Sequence, residues 1–218
     1  MDRISFLSVS LLLGVLIIPI SLTFGEDLKP IHLLDPQLDI GRPLMKVLKD
    51  RSSSRSFSTE KLPVKVLSNL LWAASGVNRQ DAGKRTAPSA RNWQEIDIYI
   101  AMADGLYLYD PKNHVLKPVL SGDIRTLTGK QDFVKDAPVN LIYVADFSKM
   151  GDATKDEKVL YSAADTGFIS QNVYLFCSSE GLATVVRGSI DREALAKAMK
   201  LRPDQKIILA QTVGYPKK

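Results

Sequence analysis

Four short stretches of this 218-residue chain carry side chains whose types and spacing suit ligand chemistry. The first is Arg51-Ser52-Ser53-Ser54-Arg55-Ser56-Phe57. Two arginines with hydroxyls between them suit a phosphate, because guanidinium offers a planar fork of donors and serine adds short neutral ones. The same stretch also fits a solvated turn after a helix. The second is Ala87-Pro88-Ser89-Ala90-Arg91-Asn92, ahead of a strand. An Asn on a tight loop there presents both a donor and an acceptor to a planar heterocycle. A plain loop is the alternative. The third is Val185-Val186-Arg187-Gly188-Ser189-Ile190-Asp191, an apolar run that breaks at Arg-Gly. Gly188 permits a ligand to approach backbone N–H groups, and such an N–H is a preorganised donor for charge that develops during a reaction. A simple strand-to-helix connection fits equally. The fourth, Val213-Gly214-Tyr215-Pro216-Lys217-Lys218, leaves the last strand and delivers positive charge, or is only a solvated basic tail.

Other chemistries find little support. Cys177 is the single cysteine, so no intramolecular disulfide is possible. With only His32 and His114 beside it, no dedicated metal site is expected. Cys177 lies in an apolar helical stretch, where a buried, inert thiol is expected. There is no Gly-x-Ser-x-Gly elbow, Cys/His pair or paired-carboxylate motif to supply a nucleophile or essential base. Lys and Arg number 29 against 24 Asp and Glu, a net charge of +5. The basic residues are scattered, with no long run and no aromatic-interleaved stripe, so a solvated surface is expected and no nucleic-acid partner. A content of 45% hydrophobic and 24% charged residues is ordinary for a globular chain.

The elements that must position these stretches can be read from periodicity. Residues 26–41 are dotted with Pro and Asp and read as an extended lead-in. Leu44, Val47 and Leu48 predict a helix over 42–50. A second helix carries Val66, Leu67, Leu70, Leu71 and Ala74 on one face, with Ser58 or Thr59 as its cap and Gly76 after its end. Residues 77–92 read as a loop. Ile96, Ile98 and Ile100 alternate with Glu95, Asp97 and Tyr99 and predict a strand. Gly105–Tyr109, the Asp110-Pro111-Lys112-Asn113 turn and His114–Val119 predict a hairpin. Residues 123–135 are expected to be helical, and Pro138–Ala145 to be a central strand. Lys155–Gly181 is the longest helix candidate, apolar around most of its circumference and so central. Its Ala163, Ala164 and Gly167 leave room for another backbone. Ala183–Arg187 reads as a short strand, Asp191–Lys200 as a helix capped by Asp191, and Ile207–Val213 as the last strand. Helices at both ends of a largely antiparallel strand set make the class α+β.

Residues 1–25 follow the grammar of a signal peptide: Arg3, an apolar run from Ile4 to Ile20, a break at Pro19 and Ser21, and small residues at Thr23 and Gly25. A retained membrane anchor is the alternative, since ~20 apolar residues nearly span a bilayer. The product is expected to be periplasmic or secreted, or tethered to a membrane only through this segment. No twin-arginine pair stands near the start.

Taken together and in this order, the four stretches resemble the FMN-dependent nitroreductase family over residues 42–218. Arg51, Ser53, Arg55 and Phe57 match its Arg-x-Ser-x-Arg/Lys-x-Phe phosphate motif, and Pro88, Ser89 and Asn92 its Pro-Ser-x-x-Asn loop against the flavin. Gly181-Leu182 matches the end of its central helix, and Arg187-Gly188 the position at flavin N5. Gly214-Tyr215-Pro216 matches its closing motif, with Lys217 or Lys218 as the basic phosphate contact. Leu106-Tyr107-Leu108-Tyr109-Asp110-Pro111, then Leu116-Lys117-Pro118-Val119, is similar to the subgroup that includes the peptide azoline dehydrogenases. Arg187 stands where many members have Glu, which alters the charge near the ring, and the basic extension after Pro216 is short.

The resemblance implies a mainly antiparallel sheet flanked by helices, with a long central dimerisation helix. It implies a homodimer with FMN at the interface, bound by Arg51, Ser52, Ser53, Arg55, Pro88, Ser89, Asn92, Arg187, Gly188, Lys217 and Lys218. Hydride would pass from NAD(P)H through the flavin to a small electron-poor acceptor, a nitro compound or quinone, with no side chain as catalyst. Phe133 and Phe147, on segments expected to roof the pocket, are candidates for stacking on a substrate and equally for the core. An FMN-dependent dehydrogenase of a small or peptide-derived substrate, or a non-catalytic flavin-binding protein, are the alternatives.

Overall fold

The computed structural model describes residues 28–217, so the expected signal segment and Lys218 lie outside the described residues. Its frame is a seven-stranded antiparallel sheet in the order β1-β6-β5-β4-β7-β9-β8. The strands are β1 (Ile31–His32), β4 (Ile96–Ala101), β5 (Gly105–Asp110), β6 (Val115–Ser121), β7 (Val139–Asp146), β8 (Ala183–Arg187) and β9 (Gln205–Gly214). A separate two-stranded ribbon pairs β2 (Val77–Arg79) with β3 (Lys84–Arg85). The helices are α1 (Leu44–Asp50), α2 (Val64–Ser75), α3 (Lys155–Glu180) and α4 (Arg192–Ala198).

The alternation in β4 decides which layer covers which face. Ile96, Ile98 and Ile100 turn toward α2 and α3, where they meet Leu67, Leu70, Leu71, Ile169, Val173 and Cys177. Tyr99 and Ala101 turn the other way, onto Ile190, Leu195 and Met199 around α4. β7 is buried along its whole length, as a strand covered on both faces must be. Cys177 is fully buried among these apolar groups, and that burial pushes its thiol well above the ordinary range.

The 26-residue helix α3 begins at a reciprocal cap: Thr154 Oγ1 accepts from the Glu157 N–H, while the Glu157 carboxylate accepts from the Thr154 N–H at 2.8 Å. It ends at Gly181, whose φ of 71° is left-handed and suits a residue without a Cβ. One stripe of the helix packs on the sheet and α2. The opposite stripe leaves Val159, Leu160 and Phe168 55%, 63% and 47% exposed, with Ala163, Ala164 and Gly167 between them. The apolar circumference read from the sequence is therefore real, but part of it is exposed. No helix among the described residues is long and apolar enough to cross a membrane.

Three expectations are corrected. Residues 123–135 form no α-helix but two short 3-10 turns, Arg125–Thr128 and Asp132–Val134. Gly129 separates them, and Thr128 spends its hydroxyl on the Arg125 carbonyl. The cap of α2 is Pro63, without a side-chain hydrogen bond; Ser58 Oγ accepts instead from the nearby Glu60 N–H. The 77–92 segment is not all loop, since β2 and β3 pair within it.

Candidate functional site

β8 is an edge strand, and what borders its free side defines the site. The Thr184 carbonyl accepts from the Ser54 N–H at 2.9 Å. The Val186 N–H donates to Tyr174 Oη at 2.9 Å, and that hydroxyl lies 2.8 Å from Ser53 Oγ. The Arg51 guanidinium lies over the Tyr174 ring, 5.2 Å from its centroid. The Arg51–Arg55 stretch thus runs along the edge of β8, held there by the Ser54 backbone bond and by one tyrosine from α3. By strand alternation the Gly188 N–H faces off the same edge, and it donates to no group among the described residues.

The chain's end joins this edge. Phe57 pairs with Pro216, Ser58 N–H donates to the Tyr215 carbonyl at 2.9 Å, and Lys217 N–H to the Ser56 carbonyl at 3.4 Å. Arg51, Arg55 and Lys217 form no ion pair among the described residues. These three cations and the exposed hydroxyl-bearing Ser52 and Ser53 thus sit on segments that border one strand edge, and they are the residue types that suit an anion. The first, third and fourth stretches read from the sequence therefore converge. Of the two aromatic candidates, Phe133 packs on Phe57 with ring centroids 5.5 Å apart and Phe147 packs against the core, and both are partly buried.

Within the third stretch, backbone and side chain part company. Arg187 sits opposite Ala210 in the ladder, and its side chain turns onto the α4 face, 4% exposed. The guanidinium does not border the edge where Gly188 offers its N–H.

The Pro88–Asn92 loop lies elsewhere. Ala90 N–H donates to Asp165 Oδ2 at 3.0 Å, and Ser89 Oγ lies 3.3 Å from Glu95 Oε2. Arg91, Asn92 and Gln94 all take positive φ, 49°, 57° and 49°, a costly conformation for side-chain-bearing residues. Ser89 Oγ, accepting from the Gln94 N–H at 2.8 Å, and the two carboxylates hold it in place. Glu95 is fully buried, and its Oε1 has no partner among the described residues. It lines a cavity of about 200 Å³ with Arg85, Asn92 and Asp165. Burial chiefly raises the Glu95 carboxyl above its usual range, and the adjacent Asp165 carboxylate pushes the same way. The loop touches α3 at Asp165, whereas the Arg51 stretch touches it at Tyr174, about 13 Å farther along the axis at ~1.5 Å per residue. The two stretches therefore meet α3 at different levels.

Tyr174, Glu95 and Asp165 were not singled out by sequence. Tyr174 and Asp165 carry no motif, and Glu95 read only as one of the outward residues of a strand.

Comparison with known proteins gives the same answer as this geometry. The chain matches the Nitroreductase family over residues 48–215. A Methanocaldococcus jannaschii protein provisionally named a nitroreductase is 30% identical over 169 residues, 73% of this chain and 85% of that one. A Ralstonia eutropha crystal structure, also provisionally described as a nitroreductase, is 44% identical with a TM-score of 0.85, covering 89% of this chain and 92% of that one. A chain of the E. coli microcin synthetase McbBCD complex, with truncated pro-MccB17 bound, shares the fold at 19% identity and a TM-score of 0.67, covering 94% and 85%. A phosphate-type motif on a strand edge, a strained Pro-Ser loop and a long half-covered helix thus belong to a fold already met, and the chain is a member of the nitroreductase family.

Proposed function

We propose that the chain is an FMN-dependent oxidoreductase that works as a homodimer and passes hydride from NADH or NADPH to a small electron-poor acceptor such as a nitro compound or a quinone. The observation that carries this reading is the edge of β8: an unpaired Gly188 N–H at its end, bordered by segments that carry Arg51, Arg55 and Lys217, all without carboxylate partners among the described residues. A Cβ at Gly188 would meet only Leu209 Cδ2, at 3.6 Å, so the protomer itself leaves that space open. A flat ring lying along the strand suits it.

The residues fit FMN in character. Arg51, Arg55 and Lys217 would hold the phosphate, with Ser52 and Ser53 adding neutral donors. The Gly188 N–H would meet the polar edge of the ring. Lys218 remains a candidate beside Lys217. When bound, FMN supplies the hydride carrier, and the chain's part is to bind it, orient it and set the surrounding field. Pro88, Ser89 and Asn92 would come from a second copy. The Asn92 amide donates to nothing among the described residues, and the exposed Val159, Leu160 and Phe168 stripe offers the surface across which two copies meet. The signal-like N-terminal segment makes an exported or membrane-anchored enzyme part of the same proposal.

A second reading is FMN-dependent dehydrogenation of a small or peptide-derived substrate, favoured by the fold shared with the microcin synthetase chain. The test is an absorption spectrum of the purified protein with and without added FMN, followed by anaerobic NADPH. Flavin absorbance that bleaches with nicotinamide and returns with a quinone is the expected result. Bound flavin indifferent to nicotinamide moves the case to the dehydrogenase or to a non-catalytic flavin-binding protein. Protein that takes up no FMN ends it.

A further inference from the structure

Arg187 is a buried cation without a counter-charge. Its Nε donates to Thr212 Oγ1 at 3.0 Å, Nη1 to the Thr128 carbonyl at 2.7 Å, and Nη2 to Asn140 Oδ1 at 2.9 Å, with Thr128 Oγ1 at 3.4 Å. Every acceptor is neutral. The acceptors are themselves fixed, since Thr212 Oγ1 lies 2.7 Å from Asn140 Oδ1 and Asn140 Nδ2 donates to the Val134 carbonyl at 2.8 Å. The 125–129 turn closes directly on the guanidinium, and a Cβ at Gly129 would collide with Nη1. Carboxylates on neighbouring elements are committed or turned to solvent: Asp123 binds Arg125, Asp191 caps α4, and Asp132 and Asp136 are exposed. Desolvation brings the guanidinium down to about 10, which leaves it charged at neutral pH.

A buried charge normally keeps a paired opposite charge, because isolation in a low dielectric is costly. A purely structural role here needs only neutral donors. The charge hangs from the residue next to Gly188, one side-chain length from the open strand edge, and interior charges act over that distance with little screening. We propose that Arg187 is a fixed, uncompensated cation that biases bound flavin toward its reduced form. The inference rests on the FMN reading above. Hydride uptake delivers two electrons and one proton to the ring and leaves one negative charge, which a nearby cation stabilises and the uncharged oxidised ring does not engage. Arg187 touches neither substrate nor ring and acts only through its field.

The test measures the midpoint potential of the FMN-loaded protein by dye-linked reductive titration, in wild type, Arg187→Met, Arg187→Lys and Asn140→Asp. Arg187→Met removes the charge. Asn140→Asp leaves Arg187 in place and sets a carboxylate against it, so it carries the test if Arg187→Met fails to fold. Both should lose about tenfold in the preference for reduced over oxidised FMN, a fall of about 30 mV for a two-electron couple. Arg187→Lys should stay near wild type. Potentials unchanged in Asn140→Asp, or in a folded Arg187→Met, overturn the inference while leaving the FMN reading intact. Wild-type protein that binds no FMN overturns both.

Discussion

Ser53 and Tyr174 meet hydroxyl to hydroxyl at 2.8 Å, and the same Tyr174 oxygen accepts the Val186 N–H at 2.9 Å. One side chain on the long helix thereby ties the phosphate-type stretch to the edge strand. Tyr174→Phe keeps the ring under Arg51 but strands a partly buried N–H. It should cost ~1–3 kcal/mol of stability, the penalty for an unsatisfied buried donor. FMN affinity should fall too, because Ser53 loses its anchor. Urea denaturation and FMN titration of this variant check both effects. A stability equal to wild type would mean that water replaces the hydroxyl.

The two arginines should separate by experiment. Both are expected to bind phosphate, and charge-assisted hydrogen bonds are worth ~1.5–3 kcal/mol each. Arg51→Ala and Arg55→Ala should therefore each weaken FMN by about tenfold or more. Only Arg51 also packs on Tyr174, so only its loss should lower apo-protein stability, by ~0.5–1 kcal/mol. Thermal melts without FMN and fluorescence titration with FMN read the two effects apart. Equal FMN affinity in the double variant would move the phosphate site elsewhere.

The exposed stripe of α3 makes a sharper demand. The Pro88–Asn92 loop and the Arg51 stretch contact α3 at different levels, and in the proposed homodimer one FMN would touch the first from one copy and the second from the other. Phe168→Glu with Leu160→Glu places two carboxylates on a face already 47% and 63% exposed, which the isolated protomer tolerates. The pair should yield a folded monomer that binds FMN poorly. Sedimentation velocity with FMN titration tests this. A monomeric variant that retains full FMN affinity would show that the site is complete within one chain.

What sequence could reveal here was local. The β4 isoleucines, the Asp110-Pro111 turn and the Asp191 cap are short-range signals, and each appears as expected, with Asp191 accepting from the Ala194 N–H at 3.0 Å. The 123–135 segment misled because its apolar residues serve separate turns packed on a sheet, with Gly129 between them and Arg187 pressing on it. The face taken by Arg187 follows from strand parity, which local composition does not announce. Glu95 and Asp165 lie far apart in the chain and meet only through the fold, so no spacing rule could join them.

That carboxyl pair yields a pH prediction. Glu95 is fully buried, and its carboxyl sits above the ordinary value of 4.5, first through burial and then through Asp165 on α3. The Ser89 hydroxyl and the backbone N–H of Glu95 oppose the shift, and Arg79, Lys84 and Arg85 are the cations that line the same cavity. A carboxyl raised in the folded state favours folding while it is protonated. Its contribution is complete below pH 4.5 and is lost as pH climbs through the raised folded value. Glu95→Gln keeps the shape and the acceptor for Ser89 but cannot ionise. Relative to that variant, wild type should lose stability as pH rises from 4.5 upward, and the two curves should run parallel at lower pH. The variant-minus-wild-type difference isolates Glu95 from carboxylates such as Asp110 and Asp146, whose values are lowered and which titrate equally in both proteins. Urea midpoints collected across this range decide the matter: a difference that stays constant with pH would show that Glu95 ionises as freely in the fold as outside it.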